Sequence, residues 1–290
     1  MKQLNVTLLI CSRNRAASLQ RCLDSINPEE MLEAETELVL VDNGSTDDTQ
    51  QVMRSFQRKV PFPVEVVDEP RPGLSYARNA GLVRVRGDVI VFSDDDCYLA
   101  PGYLLTASRV FDSGQFHYCG GRIFLYDPTD ARYGVNRKEK FERLPPGSFI
   151  PAGKIQGANM VFHRSVIDKI GPFDTMLGAG TPFRVEDIDY CARASMAGFT
   201  GAHVPELVVY HHHGRKPGTN EFERWTADND YGRGAYYMKF ILLRKYVYLR
   251  KWLKSAFRLK KLPATIRELR GAIHYARERA RASQALRRQI

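Results

Sequence analysis

One stretch decides the fold of this chain, and it runs Gly87-Asp88-Val89-Ile90-Val91-Phe92-Ser93-Asp94-Asp95-Asp96. Four consecutive apolar residues, bounded by glycine and acids, predict a short strand that is buried on both faces. The three adjacent carboxylates repel one another, so a positive group has to offset their charge. A divalent cation such as Mg²⁺ or Mn²⁺, bound through oxygen, is the usual partner at such a position. For the three acids taken alone, a solvated acidic turn is the alternative.

Similar segments lie on either side of this stretch. Residues 4–11 and 37–42 predict two earlier strands, and residues 16–26 between them have the spacing of a helix. Strands that alternate with helices indicate an α/β fold with a mostly parallel sheet flanked by helices. Parallel winding brings the carboxyl ends of such strands to one edge, where open sheets bind ligands. We therefore expect Asp42, the Asp94–Asp96 triplet and the later acids of 186–189 to lie close together.

Composition excludes several classes of protein. The 290 residues are 43% hydrophobic, which is typical of a globular chain with a sizeable core. The five cysteines form no C-x-x-C pair, so neither a disulfide framework nor a zinc site is predicted. No signal-peptide layout and no run of about 18 apolar residues is present, so we expect a cytoplasmic protein without a transmembrane helix.

The positive charge is concentrated at the C-terminal end. The net charge is +10, yet from Arg244 onward there are 15 Lys and Arg against two Glu. The rest of the chain carries 28 Lys and Arg against 31 Asp and Glu, so it is nearly neutral. We therefore divide the chain into a body, residues 1–220, and a basic helical extension, residues 221–290.

The extension is predicted to have two faces. Recurring at a spacing of three to four residues are a basic set, Lys251, Lys254, Arg258 and Lys261, and an apolar set, Tyr248, Trp252, Ala256 and Leu259. Basic and apolar faces together favour an amphipathic helix that lies on an anionic membrane surface. An ordinary packed helix with a solvated face is the alternative.

The acids and their basic neighbours suit the chemistry of a diphosphate. A cation can neutralise the charge that builds on a phosphate leaving group, and a separate carboxylate can accept a proton from an attacking hydroxyl. Arg13, Arg15 and Arg78 are available for phosphate oxygens. One of the histidines at 211–213 can add a metal ligand, although a lone histidine is usually structural. The long irregular segment 127–154 is predicted to be a functional loop, such as a lid.

In these motifs the chain resembles the family 2 glycosyltransferases, which are inverting enzymes with the GT-A fold. Residues 6–15, 39–49 and 72–81 match in family order, and Asp94-Asp95-Asp96 is similar to the D-x-D motif. Residues 157–160 and 185–190 resemble the acceptor-side and E-D motifs. Asn43 departs from the family, which often has a second Asp there. Residues 221–225 match only part of the Q-x-x-R-W motif of processive synthases, so transfer of a single sugar is expected.

The resemblance implies a role for each matching position. Nucleotide binding would fall to Ser12, Arg13, Asp42, Arg78, Asp94 and Asp95. Asp96 and His213 would hold Mn²⁺ or Mg²⁺. Asp187 would be the general base, and Glu186 would orient the acceptor or the base. Asn159 and Trp225 would contact the acceptor.

The implied reaction moves one sugar from a nucleotide-diphosphate sugar to a hydroxyl of a glycan or lipid-linked acceptor, with inversion. UDP is the nucleotide expected from the family, and polysaccharide or cell-envelope synthesis is the expected setting. The basic extension would hold the enzyme peripherally on the inner face of the membrane.

Two other functions compete with this interpretation. A nucleotidyltransferase that makes nucleotide sugars shares the strand-end acids, but it usually needs a glycine-rich phosphate loop, and residues 12–15 are not one. A nucleic-acid-binding protein would use the basic tail, but the acidic edge of the body opposes a polyanion there. We therefore expect no nucleic-acid partner.

Overall fold

The computed structural model describes residues 4–112, 114–256 and 262–287. Within them the strands are β1 (Val6–Ser12), β2 (Thr36–Asp42), β3 (Val64–Asp68), β4 (Val89–Asp94), β5 (Cys97–Leu99), β6 (Tyr118–Leu125), β7 (Glu142–Leu144), β8 (Met160–His163) and β9 (Gly201–His211). The helices are α1 (Ala16–Asp24), α2 (Pro28–Glu33), α3 (Thr49–Gln57), α4 (Leu74–Leu82), α5 (Tyr103–Asp112), α6 (Arg164–Ile170), α7 (Glu186–Met196), α8 (Asn220–Leu242), α9 (Tyr246–Ala256) and α10 (Leu262–Arg287).

All of these strands belong to one sheet. Its order is β3-β2-β1-β4-β8-β6-β9-β5, and β7 pairs with β9. Strands β1 to β4 are parallel, and β6 and β9 run in the same direction because β8 lies antiparallel between β4 and β6. Only β5, β7 and β8 run the other way. The predicted α/β fold with a mostly parallel sheet is therefore confirmed, and the carboxyl ends of β4 and β9 share an edge.

The stretch around β4 is buried on both faces, as predicted. Val89 and Val91 point into one hydrophobic cluster, and Ile90 and Phe92 point into a second cluster on the other side of the sheet. Alternation of this kind follows from the two-residue period of a strand. The two clusters fix the position of β4, so the acids that follow it emerge at a defined point of the edge.

A third hydrophobic cluster joins the C-terminal helices to the body. Tyr236, Phe240, Tyr248 and Trp252 pack there with Phe183, Val185 and Ile188, which precede and begin α7. The indole nitrogen of Trp252 also donates to Glu268 Oε2 at 2.8 Å. Tyr248 and Trp252, predicted to face a membrane, are thus buried against protein. Leu259, Arg258 and Lys261 of the same predicted faces lie outside the described residues.

An ion-pair network ties α8 to the body. The ammonium group of Lys239 lies 2.8 Å from Asp174 Oδ2 and 2.7 Å from Asp189 Oδ1, and its side chain is almost fully buried. Breaking a buried pair is costly because it leaves an uncompensated charge. The division at residues 220 and 221 stays a prediction from sequence. Among the described helices, none combines the length and apolarity needed to cross a bilayer.

Candidate active site

The cleft at the sheet edge is built by strands that end at the same level. In the parallel register Ser12 lies beside Asp42, and Cys11 lies beside Asp94. The cleft has a volume of about 680 Å³, and its lining includes Ser12, the three acids after β4 and the first turn of α7. Of the acids that sequence grouped together, Asp94–Asp96, Glu186 and Asp187 therefore line one cleft, whereas Asp42 and Asp189 do not.

The acid triplet is held by two basic side chains. Arg15 Nε lies 3.1 Å from Asp95 Oδ1, and Arg15 Nη2 lies 2.7 Å from Asp96 Oδ2. His211 Nε2 lies 3.2 Å from Asp96 Oδ1. Ser12 Oγ donates to Asp95 Oδ2 at 2.5 Å. These contacts supply the positive partners that three adjacent carboxylates require.

Asp95 and Asp96 have shifted pKa values of opposite direction. Burial, with the neighbouring charge of Asp96, raises the pKa of Asp95 to about 7 despite Arg15 and Ser12. Burial also opposes ionisation of Asp96, but the hydrogen bond and charge of His211, together with Arg15, hold its pKa well below the ordinary value. Asp96 is therefore the buried acid of the triplet that is ionised across the physiological range.

A group of potential metal ligands lies at this point. Asp94, Asp96, Cys97 and His211 each offer one ligand atom, and these atoms lie within 4.8 Å of one another. Two carboxylates and an imidazole suit Mn²⁺ or Mg²⁺, which favour hard ligands. Burial raises the pKa of the Cys97 thiol well above its ordinary value, so the thiol is a poor ligand. The donor set therefore fits the predicted cation through Asp94, Asp96 and His211.

His213 is not free to be the metal ligand predicted from sequence. Its Nδ1 accepts the Arg215 backbone N–H at 3.0 Å, and its Nε2 lies 3.1 Å from the Ala131 carbonyl. Both ring nitrogens are therefore committed to the backbone. The place beside Asp96 belongs to His211, because β9 pairs His211 with Cys97, the residue that follows Asp96.

Asp42 and Asn43, at the end of β2, make different contacts. Asp42 Oδ1 accepts the Ser45 N–H at 3.1 Å, and Asp42 is not part of the cleft lining. The Asn43 side chain does line the cleft; it donates to the carbonyls of Glu69 and Arg71 and accepts the Gly73 N–H at 2.8 Å. An amide can both donate and accept, whereas a carboxylate can only accept. The departure from the family at Asn43 therefore serves the loop that leads into α4.

Arg13 and Arg78 reach the cleft in different states. Arg13 is exposed on the loop after β1 and lines the cleft. Arg78 is buried, with Nη1 2.9 Å from Glu186 Oε1 and Nη2 3.6 Å from Asp94 Oδ1. Arg78 thereby links the triplet to the acids of α7, and Arg13 is the exposed candidate for a phosphate contact.

Glu186 and Asp187 open the first turn of α7, where the helix dipole favours anions. Asp187 Oδ2 accepts the Gly157 N–H at 2.9 Å, and its Oδ1 accepts the Ile188 N–H at 2.7 Å. Burial, opposed by Arg78, raises the pKa of Glu186 to about 7. Burial also raises the pKa of Asp187, although its two backbone hydrogen bonds work in the opposite direction. Asp187 is thus an oriented carboxylate with increased basicity that opens onto the cleft.

Gly157 is required by the packing around Arg78. A Cβ atom at this position would lie 2.8 Å from Arg78 Nη2, closer than real Cβ contacts come. The absent side chain lets the guanidinium pass beside the same backbone N–H that orients Asp187. The lack of a side chain at Gly157 therefore allows Arg78 to lie beside the backbone N–H that binds Asp187.

Two other predicted polar residues point into the interior. Asp189 pairs with Lys239 and lies 3.1 Å from Arg193 Nε, so it is structural. Asn159 Oδ1 accepts the Tyr103 hydroxyl at 2.6 Å, and its amide donates to the carbonyls of Arg122 and Leu207. Asn159 is only 1% exposed, which leaves no group free for the acceptor contact predicted from sequence. Its role is to fasten β8 to β6, β9 and α5.

Another part of the cleft wall is aromatic. The Trp225 ring on α8 meets Tyr133 edge-on with centroids 4.0 Å apart, and the Arg215 guanidinium lies 5.0 Å above the Trp225 ring. All three residues line the cleft, as do Ala152 and Gly153. The segment 127–154, predicted as a functional loop, therefore supplies one wall, although β7 within it pairs with β9.

A comparison with protein families decides the assignment. The model of the family described as "Glycosyl transferase family 2" matches residues 7–171, which is more than half of the chain. The chain belongs to this family. The matched range contains most of β1, all of β2 and β4, and the acid triplet, so these parts of the cleft lie within the region that matches the family.

Among curated proteins, this family 2 glycosyltransferase is similar to glycosyltransferase AglE of Haloferax volcanii, with 23% identity over 71% of the chain and 66% of that protein. It is also 26% identical to the poly(ribitol-phosphate) beta-N-acetylglucosaminyltransferase TarS of Staphylococcus aureus, over 37% of the chain and 18% of TarS. The chain spans at most about two thirds of the length of these relatives.

Solved structures share the fold. The mannosyltransferase PcManGT of Pyrobaculum calidifontis, in complex with GDP-Man and Mn²⁺, has a TM-score of 0.65 at 18% identity and covers 100% of this chain and 82% of its own. TarS residues 1–349 with UDP-GlcNAc gives 0.62 at 16% identity, covering 93% and 81%. The GT-A fold expected from sequence is thereby confirmed.

Sequence reasoning did not single out three residues that line the cleft of this glycosyltransferase. His211 was one of three adjacent histidines, and only its pairing with β5 distinguishes it. Tyr133 and Arg215 flank Trp225, but neither belongs to a recognisable motif. No spacing rule predicts that Trp225 contacts Tyr133, 92 positions away, or Arg215, 10 positions away.

Proposed function

We propose that the protein is an inverting, metal-dependent glycosyltransferase that moves one sugar from a nucleotide-diphosphate sugar to a hydroxyl of a glycan or lipid-linked acceptor. One observation carries this proposal. The cleft brings together the Asp94, Asp96 and His211 group and the oriented carboxylate of Asp187, and Arg78 links Asp94 to Glu186, the neighbour of Asp187. A donor bound between these two groups would present its anomeric carbon between the leaving group and the base.

Asp187 is proposed as the general base. Its oxygens are fixed by the N–H groups of Gly157 and Ile188, and each oxygen keeps a free lone pair for the acceptor proton. Its raised pKa makes it a better proton acceptor than an ordinary aspartate. Attack from the side of Asp187, opposite the diphosphate, would invert the configuration of the sugar.

Glu186 and Arg78 are proposed to support the base and the donor. Arg78 holds Glu186 and reaches toward Asp94, so it would keep positive charge close to the diphosphate. Asp94, Asp96 and His211 would hold Mn²⁺ or Mg²⁺, which supplies neutralisation of the charge on the leaving diphosphate. Arg13 and Arg15 are the further cations on this side of the cleft.

The aromatic part of the cleft wall is proposed to bind the acceptor. Trp225 and Tyr133 present ring faces and edges, which suit the apolar faces of sugar rings, and Arg215 adds a charge for an anionic group. A lipid-linked acceptor on an anionic membrane fits the basic extension. UDP is the proposed nucleotide, and GDP is the alternative to test, because the fold neighbours have been solved with GDP-Man and with UDP-GlcNAc.

Thermal unfolding in the presence of nucleotides tests the donor site. A ligand that binds the native state raises the free energy of unfolding by mass action, by about 2.7 kcal/mol at a hundredfold excess over Kd, and the thermal midpoint rises with it. UDP, GDP, dTDP and CDP are each added with and without Mn²⁺. We expect one nucleotide to raise the midpoint, and only when the metal is present.

Variants make this measurement specific. Asp96→Ala should abolish the metal-dependent shift, whereas Glu206→Ala, at an exposed position of β9, should retain it. The absence of a shift with any nucleotide, or a shift that persists in Asp96→Ala, would count against the proposed donor site.

A further inference from the structure

The exposed apolar side chains of the protein are concentrated in its C-terminal helices. Among the described residues, 14 large hydrophobic side chains are exposed, and nine of them lie between positions 242 and 273. They are Leu242, Leu243, Tyr246, Val247, Leu253, Leu262, Ile266, Leu269 and Ile273. Singly exposed apolar residues need no explanation, but a concentration of this kind marks an interaction surface.

Helix α10 carries the most regular part of this surface. Leu262, Ile266, Leu269 and Ile273 recur at spacings of four, three and four residues, and their exposed fractions lie between 44 and 58%. Residues at this spacing form one stripe along a helix. We call these four residues the α10 stripe.

The stripe is not the face by which α10 packs on the protein. Glu268, Gly271, Ala272 and Tyr275 are buried, and at Gly271 a Cβ atom would lie 1.9 Å from the Tyr231 carbonyl oxygen of α8. At 100° per residue, this packed face lies on the side of the helix away from the stripe. Helix α10 therefore has two apolar faces, of which the described residues cover only one.

The charges beside the stripe are almost all positive. Arg270, Arg277 and Arg281 follow one flank of α10, and Arg244, Lys245, Arg250, Lys251 and Lys254 are exposed around α9. The acids of the region are engaged, since Glu268 is buried beside Arg233 and Trp252, and Glu278 contacts Arg281. The surface thus joins a row of Leu and Ile to a predominantly positive flank, in which Arg281 is paired with Glu278.

We propose that the α10 stripe and its basic flank form the surface by which the enzyme lies on an anionic lipid bilayer. Apolar side chains would enter the boundary between headgroups and acyl chains, and the arginines would pair with lipid phosphates. A second copy of the chain fits less well, because it would bring the same basic flanks together. This surface differs from the face predicted from sequence, whose Tyr248 and Trp252 are buried.

A second cavity borders both this region and the active-site cleft. This cavity of about 540 Å³ is lined by Pro263, Ala264 and Arg267 from the first turns of α10 and by Ala152 and Arg233, which also line the active-site cleft. The α10 stripe begins on the same turn, at Leu262. This step rests on the proposed function: a lipid-linked acceptor held in the bilayer would reach the cleft past this cavity, where Ala152 and Arg233 line both.

Vesicle flotation with the full chain tests the proposal. The probes are vesicles of phosphatidylcholine alone and vesicles with three parts phosphatidylcholine to one part phosphatidylglycerol. We expect binding to the anionic vesicles only, decreasing with added salt. In the quadruple variant Leu262→Gln, Ile266→Gln, Leu269→Gln and Ile273→Gln, we expect the partition coefficient to fall at least about tenfold.

A matched control replaces exposed apolar residues elsewhere. Leu32→Gln with Val83→Gln removes side chains that are 52 and 79% exposed on the body, and it should leave the partition coefficient within about twofold of wild type. Circular dichroism verifies that both variants fold. Equal binding of wild type and the quadruple variant, or no binding of wild type to anionic vesicles, would overturn the proposal. So would a stripe-dependent dimer that does not bind vesicles.

Nucleotide binding is measured on the same preparations. Vesicle binding without any nucleotide shift would uphold the surface and refute the proposed function. A nucleotide shift without vesicle binding would refute the surface and leave the proposed function intact. The two proposals therefore fail separately.

Discussion

At the scale of single residues, two aspartates on one turn of α7 lie in different surroundings. Asp187 opens onto the cleft, with its oxygens held by backbone N–H groups, while Asp189 lies in the interior between Lys239 and Arg193. Sequence grouped both with Glu186 as strand-end acids. Two positions along a helix are a rotation of about 200°, so the two side chains cannot share one face.

The difference predicts separate effects for two equivalent substitutions. Asp187→Asn should lower kcat by about 10²- to 10⁴-fold, because the amide cannot accept the acceptor proton. Donor affinity should change little. The rate of nucleoside diphosphate release with an acceptor, together with the nucleotide-induced shift in Tm, measures both.

The matched control is Asp189→Asn. It should lower stability by about 3 kcal/mol, since Lys239 and Arg193 lose a charged partner, while kcat of the folded enzyme stays near wild type. A loss of kcat in Asp189→Asn as large as in Asp187→Asn would contradict these assignments.

The raised pKa values of the α7 acids predict a pH dependence. A general base works only when ionised, so the rate should increase with pH through the pKa of Asp187. Because burial raises that pKa, the midpoint of this limb should lie above the ordinary aspartate value of about 4. Burial, helped by the charge of Asp187, raises the pKa of Glu186 to about 7, so Glu186 ionises after Asp187. Glu186→Gln resembles the protonated glutamate, so it should leave this limb close to its wild-type position.

Profiles of kcat against pH for wild type, Glu186→Gln and the exposed-site control Glu206→Gln check this expectation. The control should superimpose on wild type. A limb that moves to lower pH by a unit or more in Glu186→Gln would show that Glu186 is already ionised while Asp187 titrates, contrary to this order.

At the scale of elements, glycines set how closely the C-terminal helices approach. A Cβ atom at Gly234 would lie 1.8 Å from the Glu268 carbonyl oxygen, and one at Gly271 would lie 1.9 Å from that of Tyr231. Both contacts are to backbone, which cannot turn away as a side chain can. Helices α8 and α10 therefore pack backbone to backbone, and this brings Glu268 beside Arg233 and Trp252.

This contact predicts an effect against helix propensity. Alanine is favoured over glycine in a helix by about 1 kcal/mol, yet Gly271→Ala should destabilise the protein by about 1–3 kcal/mol because α8 and α10 have to separate. Urea unfolding measures the change. Ser283→Ala, at an exposed position of α10, should be neutral or slightly stabilising. A stabilised Gly271→Ala would mean that the two helices are not packed this closely.

At the scale of the whole molecule, the extension and the body share a core. Leu177, Phe183, Val185 and Ile188 are buried in the same cluster as the aromatic residues of α8 and α9. Phe183 and Val185 immediately precede the acids of α7, so the extension supports the segment that positions the proposed base. The extension therefore contributes to the packing of the body.

Removal of the extension should therefore affect folding without any membrane present. A chain that ends at Asn220 exposes this cluster and loses Lys239, and we expect its Tm to fall by at least about 10 °C. A chain that ends at Ala280 removes only the last turns of α10 and should keep its Tm within a few degrees. Circular dichroism and size-exclusion chromatography compare them. An unchanged Tm in the shorter chain would establish residues 1–220 as an independent domain.

The sequence by itself determined the sheet and its acidic edge. The apolar runs at β1, β2 and β4 require burial on both faces, and parallel winding then carries the acids that follow them to one edge. These are local patterns with a fixed geometric consequence, and they were enough to predict the fold and the acidic edge, while the family was predicted from the resemblance of the motifs.

Only the tertiary structure decided which polar and aromatic side chains are free. It committed His213, Asn159 and Asp189 to internal contacts, gave the position beside Asp96 to His211, and buried Tyr248 and Trp252 while exposing the α10 stripe. Periodicity predicts that a helix or strand has a face, but it contains no information about what packs against that face. That choice depends on contacts between residues far apart in the chain, such as the pairing of β5 with β9 and the glycine contacts between α8 and α10.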